Sequence, residues 1–414
     1  MPEAKYLLVG SSHAALEALR AIRQSDPDGS MAMLTQDRAM PYSPTILPYV
    51  VSGRSKPEAV SLRDEAFFDA NRCAFVSQAR AVGLEPKART LRLENGETWR
   101  YQRLLIATGA APALPPVDGL DGVRFHVLRS LADAQALRAA MGGAKTALVL
   151  GAGLVGLHAA ETLAEGGLAV QVVEMQPHVL PGYLDPVASG LIEDSFTAHG
   201  VRLHLGRRVI AVVAEDGGQS CRATLDDGKV VEADLLLVAT GVRPVIGWLA
   251  GSGVTTDKGV VVDELMRTTV DDIWAAGDVA QALDFHTGRP GLIGIIPTAV
   301  EQGRLAGRGM AGDSYAKPYP GGLPVNTYRF FGRVALSIGQ AAADGEVVSC
   351  SEGGYRRMVF TDDRLVGYAS VDQPFDVGIM GELIRRRVDL GPVKDSFIAR
   401  PLETGRRLMS EQWR

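Results

Sequence analysis

Residues 146–175, TALVLGAGLVGLHAAETLAEGGLAVQVVEM, restrict the possible folds of this chain more than any other stretch. Thr146–Leu150 is a short, continuous apolar run of the kind buried in a parallel sheet. Gly151, Gly153 and Gly156 follow in G-x-G-x-x-G spacing, which supplies a tight turn, close backbone approach to a pyrophosphate, and close packing of helix on strand. Leu154 and Val155 open a helix whose first N–H groups are offered to phosphate, and Gly166-Gly167 ends it. A second apolar strand then delivers Glu174 about 20 residues beyond the glycines. There a carboxylate accepts the ribose hydroxyls of NAD and repels the 2′-phosphate of NADP. The fingerprint sits in the middle of the chain, so another unit precedes it.

With 414 residues, 46% of them hydrophobic and 22% charged, the chain has room for two or three domains with full cores. That balance excludes a disordered or membrane-spanning class, and no apolar run reaches the roughly 20 residues of a spanning helix. MPEAKYLLVG reads as a first strand and not a signal peptide, so a cytoplasmic protein is expected. A formal charge of −5 argues against a nucleic-acid surface. Cys73, Cys221 and Cys350 lie far apart with no C-x-x-C pair, so each reads as an inert core thiol. The seven histidines show no metal-ligand spacing, and no metal is expected.

Upstream, residues 6–9 form a strand, and Gly10, Ser12 and Ala15 stand where a second, degenerate fingerprint places its three small residues. His13 and Ala14 lie between them at the start of a helix read as 14–22. Met31–Leu34 is the next strand, and either Gln36 or Asp37 falls near the ribose-binding place of this first unit. PYSPTILP, residues 41–48, carries three prolines that are expected to forbid a regular helix and stiffen a loop holding Pro44 and Thr45 beside the cofactor. A plain connecting loop explains the prolines equally well. A helix is expected over 62–71, then hairpin strands about Asn95-Gly96. LLIATG ends at Thr108 and Gly109, and DLLLVATG repeats that ending at Gly241. Between them, 191–199 reads as helix and 201–225 as strands. AAGD delivers Gly277 and Asp278, and PTAVEQGRLAGRGM opens a helix at Pro297 and Thr298, its N-terminus toward the same site. Beyond Gly321-Gly322 come four expected strands, 325–331, 334–338, 355–361 and 365–370, and a helix over 381–387. The expected fold is α/β: two Rossmann-like dinucleotide-binding domains, 1–113 with 242–320 and 114–241, plus a C-terminal α+β domain, 321–414.

VGSSHAALEA, LLIATG, GAGLVG with Glu174, LLLVATG, AAGD and PTAVEQG, in that order over almost the whole length, resemble the pyridine nucleotide–disulfide oxidoreductase superfamily. The resemblance implies FAD at Gly10, Ser12, His13, Ala14, Ala15, Asp37, Pro44, Thr45, Thr108, Gly109, Gly277, Asp278, Pro297 and Thr298. It implies NAD(H) at Gly151, Gly153, Leu154, Val155, Gly156, Glu174 and Gly241, and an interface role for the last domain. Two departures narrow the chemistry. Relatives that reduce coenzyme A disulfide or peroxide carry a cysteine in the loop where this chain has Thr45, and a threonine hydroxyl cannot form the thiolate on which that chemistry depends. With no protein thiol to receive them, electrons must pass to or from an outside carrier. Second, His158 replaces a glutamate two residues after the third glycine, where a histidine either tunes hydride transfer or simply packs.

VGSSHAALEA, PYSPTILPYVVSG and GAGLVGLHAAE together resemble the flavin-bearing subunit of anaerobic 2-oxoacid dehydrogenase complexes. In those, thiamine-diphosphate subunits oxidise a 2-oxoacid to an acyl-CoA, ferredoxin-like iron–sulfur subunits carry the electrons, and the flavoprotein passes them to NAD⁺. No catalytic acid or base is needed, because the cofactor carries the chemistry. Arg385, Arg386 and Arg387 either meet an acidic iron–sulfur partner or form a solvated helix face. The alternatives are a free-standing NADH:ferredoxin or rubredoxin reductase, the NADH-binding part of a nitrite-reductase-like system, and a flavin-binding redox sensor that does not turn over.

Overall fold

The computed structural model describes residues 1–218, 220–350 and 353–412, apart from the side chains at 216, 350 and 412. The chain falls into two compact units. One comprises 1–47, 55–111 and 242–322; the other comprises 48–54, 112–241 and 323–414.

In the first unit a sheet runs in the order Cys73–Val76, Met31–Leu34, Glu3–Val9, Thr98–Ile106, Thr90–Leu93, Ala81–Glu85. Thr98–Ile106 serves two neighbours along one edge. Its start pairs antiparallel with Thr90–Leu93, and its last three residues pair parallel with Ile273–Ala275. The parallel strands end in register: Val9 stands beside Leu34 and Ile106, and Ile106 beside Ala275. Their following loops therefore emerge along one carboxyl edge, where open α/β sheets bind ligands. The strands are buried because they are continuous apolar runs; Tyr6, Leu7, Leu8, Leu104, Leu105 and Ile106 are fully enclosed.

The His13–Ser25 and Ile296–Met310 helices pack backbone to backbone. A Cβ added at Gly303 would lie 2.1 Å from the Ala14 carbonyl oxygen, and one at Gly307 would lie 2.5 Å from that of Ala18. Small residues four apart on both helices permit this approach.

In the second unit four parallel strands run Arg202–Leu205, Ala169–Glu174, Thr146–Leu150, Leu235–Val238. Val209–Glu215, Ser220–Leu225 and Val230–Ala233 form a separate antiparallel sheet. The C-terminal part is a five-stranded antiparallel sheet, Val325–Phe330, Arg333–Gly339, Arg364–Val371, Tyr355–Thr361, Glu346–Cys350.

Several elements differ from expectation. The proline-rich stretch does not exclude helix: Leu47–Ser52 is helical, because Pro48 sits in its first turn, where a missing N–H costs nothing. The helix expected from 191 is Pro186–Ala198, with Pro186 at its first position and the Asp185 carboxylate accepting from Val187 N at 3.2 Å. The helix expected over 62–71 is the shorter Glu65–Ala70, capped by Asp64. The helix expected over 381–387 is Val377–Arg385, capped by Asp376. Glu346–Cys350, Lys394–Ala399 and Pro401–Gln412 were not anticipated.

Candidate functional site: two dinucleotide cradles

The first cradle opens where Glu3–Val9 ends. Gly10 has φ +117°, and a Cβ there would sit 2.0 Å from the Ala107 carbonyl oxygen, so only glycine fits the turn. Ser12 precedes the His13–Ser25 helix without capping it by its side chain. Ala14 and Ala15 are buried in the first turn. His13 Nε2 lies 3.1 Å from Ser43 Oγ, which lies 2.9 Å from Thr45 Oγ1, so a helix terminus and the proline-rich loop meet through three side chains. Burial, assisted by Arg63, lowers the His13 pKa, against the opposing pull of Glu17 and Asp278. Pro44 begins the short 3₁₀ turn Pro44–Ile46.

Gln36 and Asp37 both line a cleft of about 450 Å³, with Arg38, Gln78, Arg80 and Glu94. Tyr42 OH donates to Asp37 Oδ2 at 3.1 Å and steadies that carboxylate. Thr108 Oγ1 donates to Val245 O at 3.0 Å, and Gly109 and Gly277 have positive φ. Gly277 N donates to the buried Gln302 Oε1 at 2.9 Å. Gln302 was missed as a positioning residue, although it belongs to the PTAVEQG motif. A Cβ on Gly294 would lie 3.3 Å from the Asp278 carboxylate, so that acid faces bare backbone. Pro297 and Thr298 lie in the first turn of Ile296–Met310.

The second cradle repeats the design. Gly151 has φ +102°, and a Cβ there would lie 2.5 Å from Ala239 O. One on Gly156 would meet Gly151 O at 2.0 Å, so that glycine lets the Leu154–Glu165 helix press on its own turn. Beside Gly153 and Gly241 a Cβ would meet nothing within 4 Å, which leaves open space for a ligand. Glu174 is buried; its Oε2 accepts from Ala152 N at 2.7 Å and its Oε1 from Gln176 N at 2.8 Å. Leu154 and Val155 begin the helix, with Val155 exposed. His158 rests on Phe330, ring centroids 4.6 Å apart, and its Nδ1 is 3.8 Å from Glu161 Oε2. Glu161 Oε1 in turn accepts from Phe331 N at 2.5 Å. The position thus joins the glycine-turn helix to the C-terminal sheet of its own unit.

Two dinucleotides fit these residues. Side chains cap the helices that begin after Asp64, Ser130, Asp185 and Asp376. No side chain caps His13–Ser25, Leu154–Glu165 or Ile296–Met310, whose first N–H groups are left for an anion. Cys73 and Cys221 are buried, their thiols pushed up to about 12 and about 11 by desolvation. The Cys350 side chain lies outside the described residues. No metal-binding cluster and no helix long and apolar enough to cross a membrane occur among the described residues.

Paired parallel sheets, each with a glycine turn leading into an uncapped helix, define a two-dinucleotide oxidoreductase. Residues 4–303 match the family model for pyridine nucleotide-disulphide oxidoreductases, and the chain belongs to that family. It is an FAD-dependent NAD(H) oxidoreductase. Over 416 aligned residues it is 47% identical to the NADH-dependent phenylglyoxylate dehydrogenase subunit epsilon of Aromatoleum evansii, covering 99% of this chain and 98% of that one. It is 30% identical to rhodocoxin reductase of Rhodococcus erythropolis, covering 93% and 90%. A ferredoxin reductase structure from Rhodopseudomonas palustris superposes with a TM-score of 0.82 at 28% identity, covering 89% of this chain and 91% of that one.

Proposed function

We propose that this chain is the flavoprotein subunit of a 2-oxoacid dehydrogenase complex acting on phenylglyoxylate. In that complex it passes electrons from ferredoxin-like iron–sulfur subunits to NAD⁺. The complex would carry out phenylglyoxylate + CoA + NAD⁺ → benzoyl-CoA + CO₂ + NADH, with thiamine-diphosphate subunits performing the decarboxylation, and would reside in the cytoplasm. The observation that carries this reading is 47% identity along essentially the full length of both chains with a subunit of that name. FAD, when bound, supplies the exchange between single electrons and the pair that NAD⁺ accepts.

The chain's own residues bind, orient and exclude. The turn at Gly10 and the uncapped His13–Ser25 helix hold the FAD phosphates, while Gln36 or Asp37 and Asp278 take sugar and ribityl hydroxyls. The turn at Gly151 and the uncapped Leu154–Glu165 helix hold the NAD phosphates, and Glu174 takes the ribose. With Cys73 and Cys221 buried and hard to ionise, the described thiols have no part in the electron path.

Anaerobic purification from the native source tests the proposal. The chain is expected to arrive with iron–sulfur and thiamine-diphosphate subunits, and its flavin to bleach with NADH. A chain that arrives alone and reduces a small ferredoxin or rubredoxin at full rate would instead be the free-standing reductase, the reading favoured by the likeness to rhodocoxin reductase.

A further inference from the structure

We propose that His13 is a redox-linked proton acceptor, held by the chain His13–Ser43–Thr45, that takes up a proton when an electron pair enters the FAD cradle and releases it when the pair leaves. The inference rests on reading the first unit as the FAD-binding one.

Three observations converge on His13. It is the first residue of the uncapped helix, and Asp278, the acid assigned to the same cradle, acts on its ring electrostatically. Its Nε2 is within hydrogen-bond reach of Ser43 Oγ at 3.1 Å, and Ser43 Oγ of Thr45 Oγ1 at 2.9 Å. Two hydroxyls in series accommodate both forms of the ring: Ser43 donates to a neutral Nε2, or accepts from a protonated one and turns its own proton toward Thr45. Finally, the surroundings hold the resting ring toward its neutral form, below the usual imidazole pKa. Burial and Arg63 favour the neutral imidazole, whereas Glu17 and Asp278 favour the charged one. A negative charge arriving in the cradle tips that balance toward imidazolium.

The balance of the step makes it measurable. NADH hands over two electrons together with one proton, so the cofactor needs none from water. A proton drawn from solvent during NADH reduction is therefore held by the protein. When the electron pair leaves, His13 returns it, and the overall reaction is unchanged.

The test uses the FAD-bound protein, anaerobic at pH 8 in weak buffer with an indicator dye, reduced by one equivalent of NADH while bleaching is followed. The wild type is expected to take up about one proton per flavin and His13→Gln almost none, uptake being counted per flavin bleached. Ser43→Ala/Thr45→Val keeps the imidazole but removes the partners of its charged form, so uptake should fall to an intermediate value. This pair decides the matter if His13→Gln loses FAD. Equal uptake in wild type and variants, or none in the wild type, overturns the inference. A wild type that binds FAD but does not bleach with NADH overturns the reading beneath it.

Discussion

Glu174 Oε2 accepts a hydrogen bond from the backbone N–H of Ala152, 2.7 Å away, so the acid ending the second strand holds the glycine turn that ends the first. Its other oxygen accepts from Gln176 N at 2.8 Å. Glu174→Gln puts an amide NH₂ against one of these donors and removes the charge. A charge-assisted bond is worth about 1.5–3 kcal/mol, or roughly tenfold or more in affinity. The KM for NADH should rise by about that factor, and the preference for NADH over NADPH should shrink. An unchanged cofactor ratio in steady-state kinetics would remove Glu174 from the ribose site.

Gly303 and Gly307 make the second prediction. A methyl group on either meets backbone atoms of the His13–Ser25 helix, which cannot move aside as a flexible side chain would. Overpacking costs about 1–3 kcal/mol, and both sites belong at the upper end. Gly303→Ala and Gly307→Ala should each lower the urea midpoint and weaken FAD retention. Ala311→Gly, at the C-cap beyond this stripe, serves as control. Equal midpoints for all three would mean that the helices separate at little cost.

The glycine stripe also shows where reading the sequence stops. Both fingerprints and the parallel strands were legible because continuous apolar runs and glycine spacing are local signals. Pro48 misled because a proline in a helix's first turn resembles a breaker until the helix start is seen. Glu346–Cys350 was missed because it lies at a sheet edge, where burial imposes little pattern. Pro401–Gln412 is mostly polar, and of its described residues only Pro401, Thr404 and Gly405 are buried, so its periodicity is faint. The apposition of His13 and Ser43, 30 residues apart, depends on tertiary packing and had no sequence signal.

The thiols give a third test. A buried thiol whose pKa stands near 12, as for Cys73, or near 11, as for Cys221, is almost wholly protonated at pH 8. Both should react with a disulfide reagent orders of magnitude more slowly than a free thiol of pKa about 8.5. Replacing all three cysteines by alanine should leave NADH-driven bleaching of the flavin within about twofold, since this electron path needs no thiolate. A bleaching rate that collapsed in the triple variant would place a cysteine in that path.

Alkaline stability should report on Tyr355. Its hydroxyl donates to Asp185 Oδ2 at 2.8 Å, and burial, reinforced by that carboxylate, pushes its pKa up to about 12. The folded chain thus holds this proton more tightly than the unfolded one, where a tyrosine titrates near 10. The stabilisation is complete below pH 10 and is lost as the pH rises toward 12. Tyr355→Phe should cost about 1–3 kcal/mol at pH 8, because Asp185 loses a partner in a buried site. Between pH 9 and 11.5 the variant's denaturation midpoint should fall less than that of the wild type. Parallel curves would show that Tyr355 does not titrate with folding.

Arg385, Arg386 and Arg387 close the Val377–Arg385 helix and the turn after it, where cations also favour the negative end of the helix dipole. Arg386 pairs with Glu382 at 2.9 Å, an i,i+4 contact worth only about 0.3–0.5 kcal/mol. Arg386 and Arg387 are exposed, and Arg387 takes φ +49° as the chain turns away. If an acidic iron–sulfur partner docks here, attraction acts mainly on encounter and is screened beyond about 8–10 Å at physiological salt. Replacing the three arginines by glutamate should raise the KM for the reduced iron–sulfur protein roughly tenfold at low salt, and less at high salt. NADH-driven bleaching, which needs no partner, should be unchanged. A salt-independent rise would point to helix destabilisation, and an unaltered KM would leave the arginines as a solvated face.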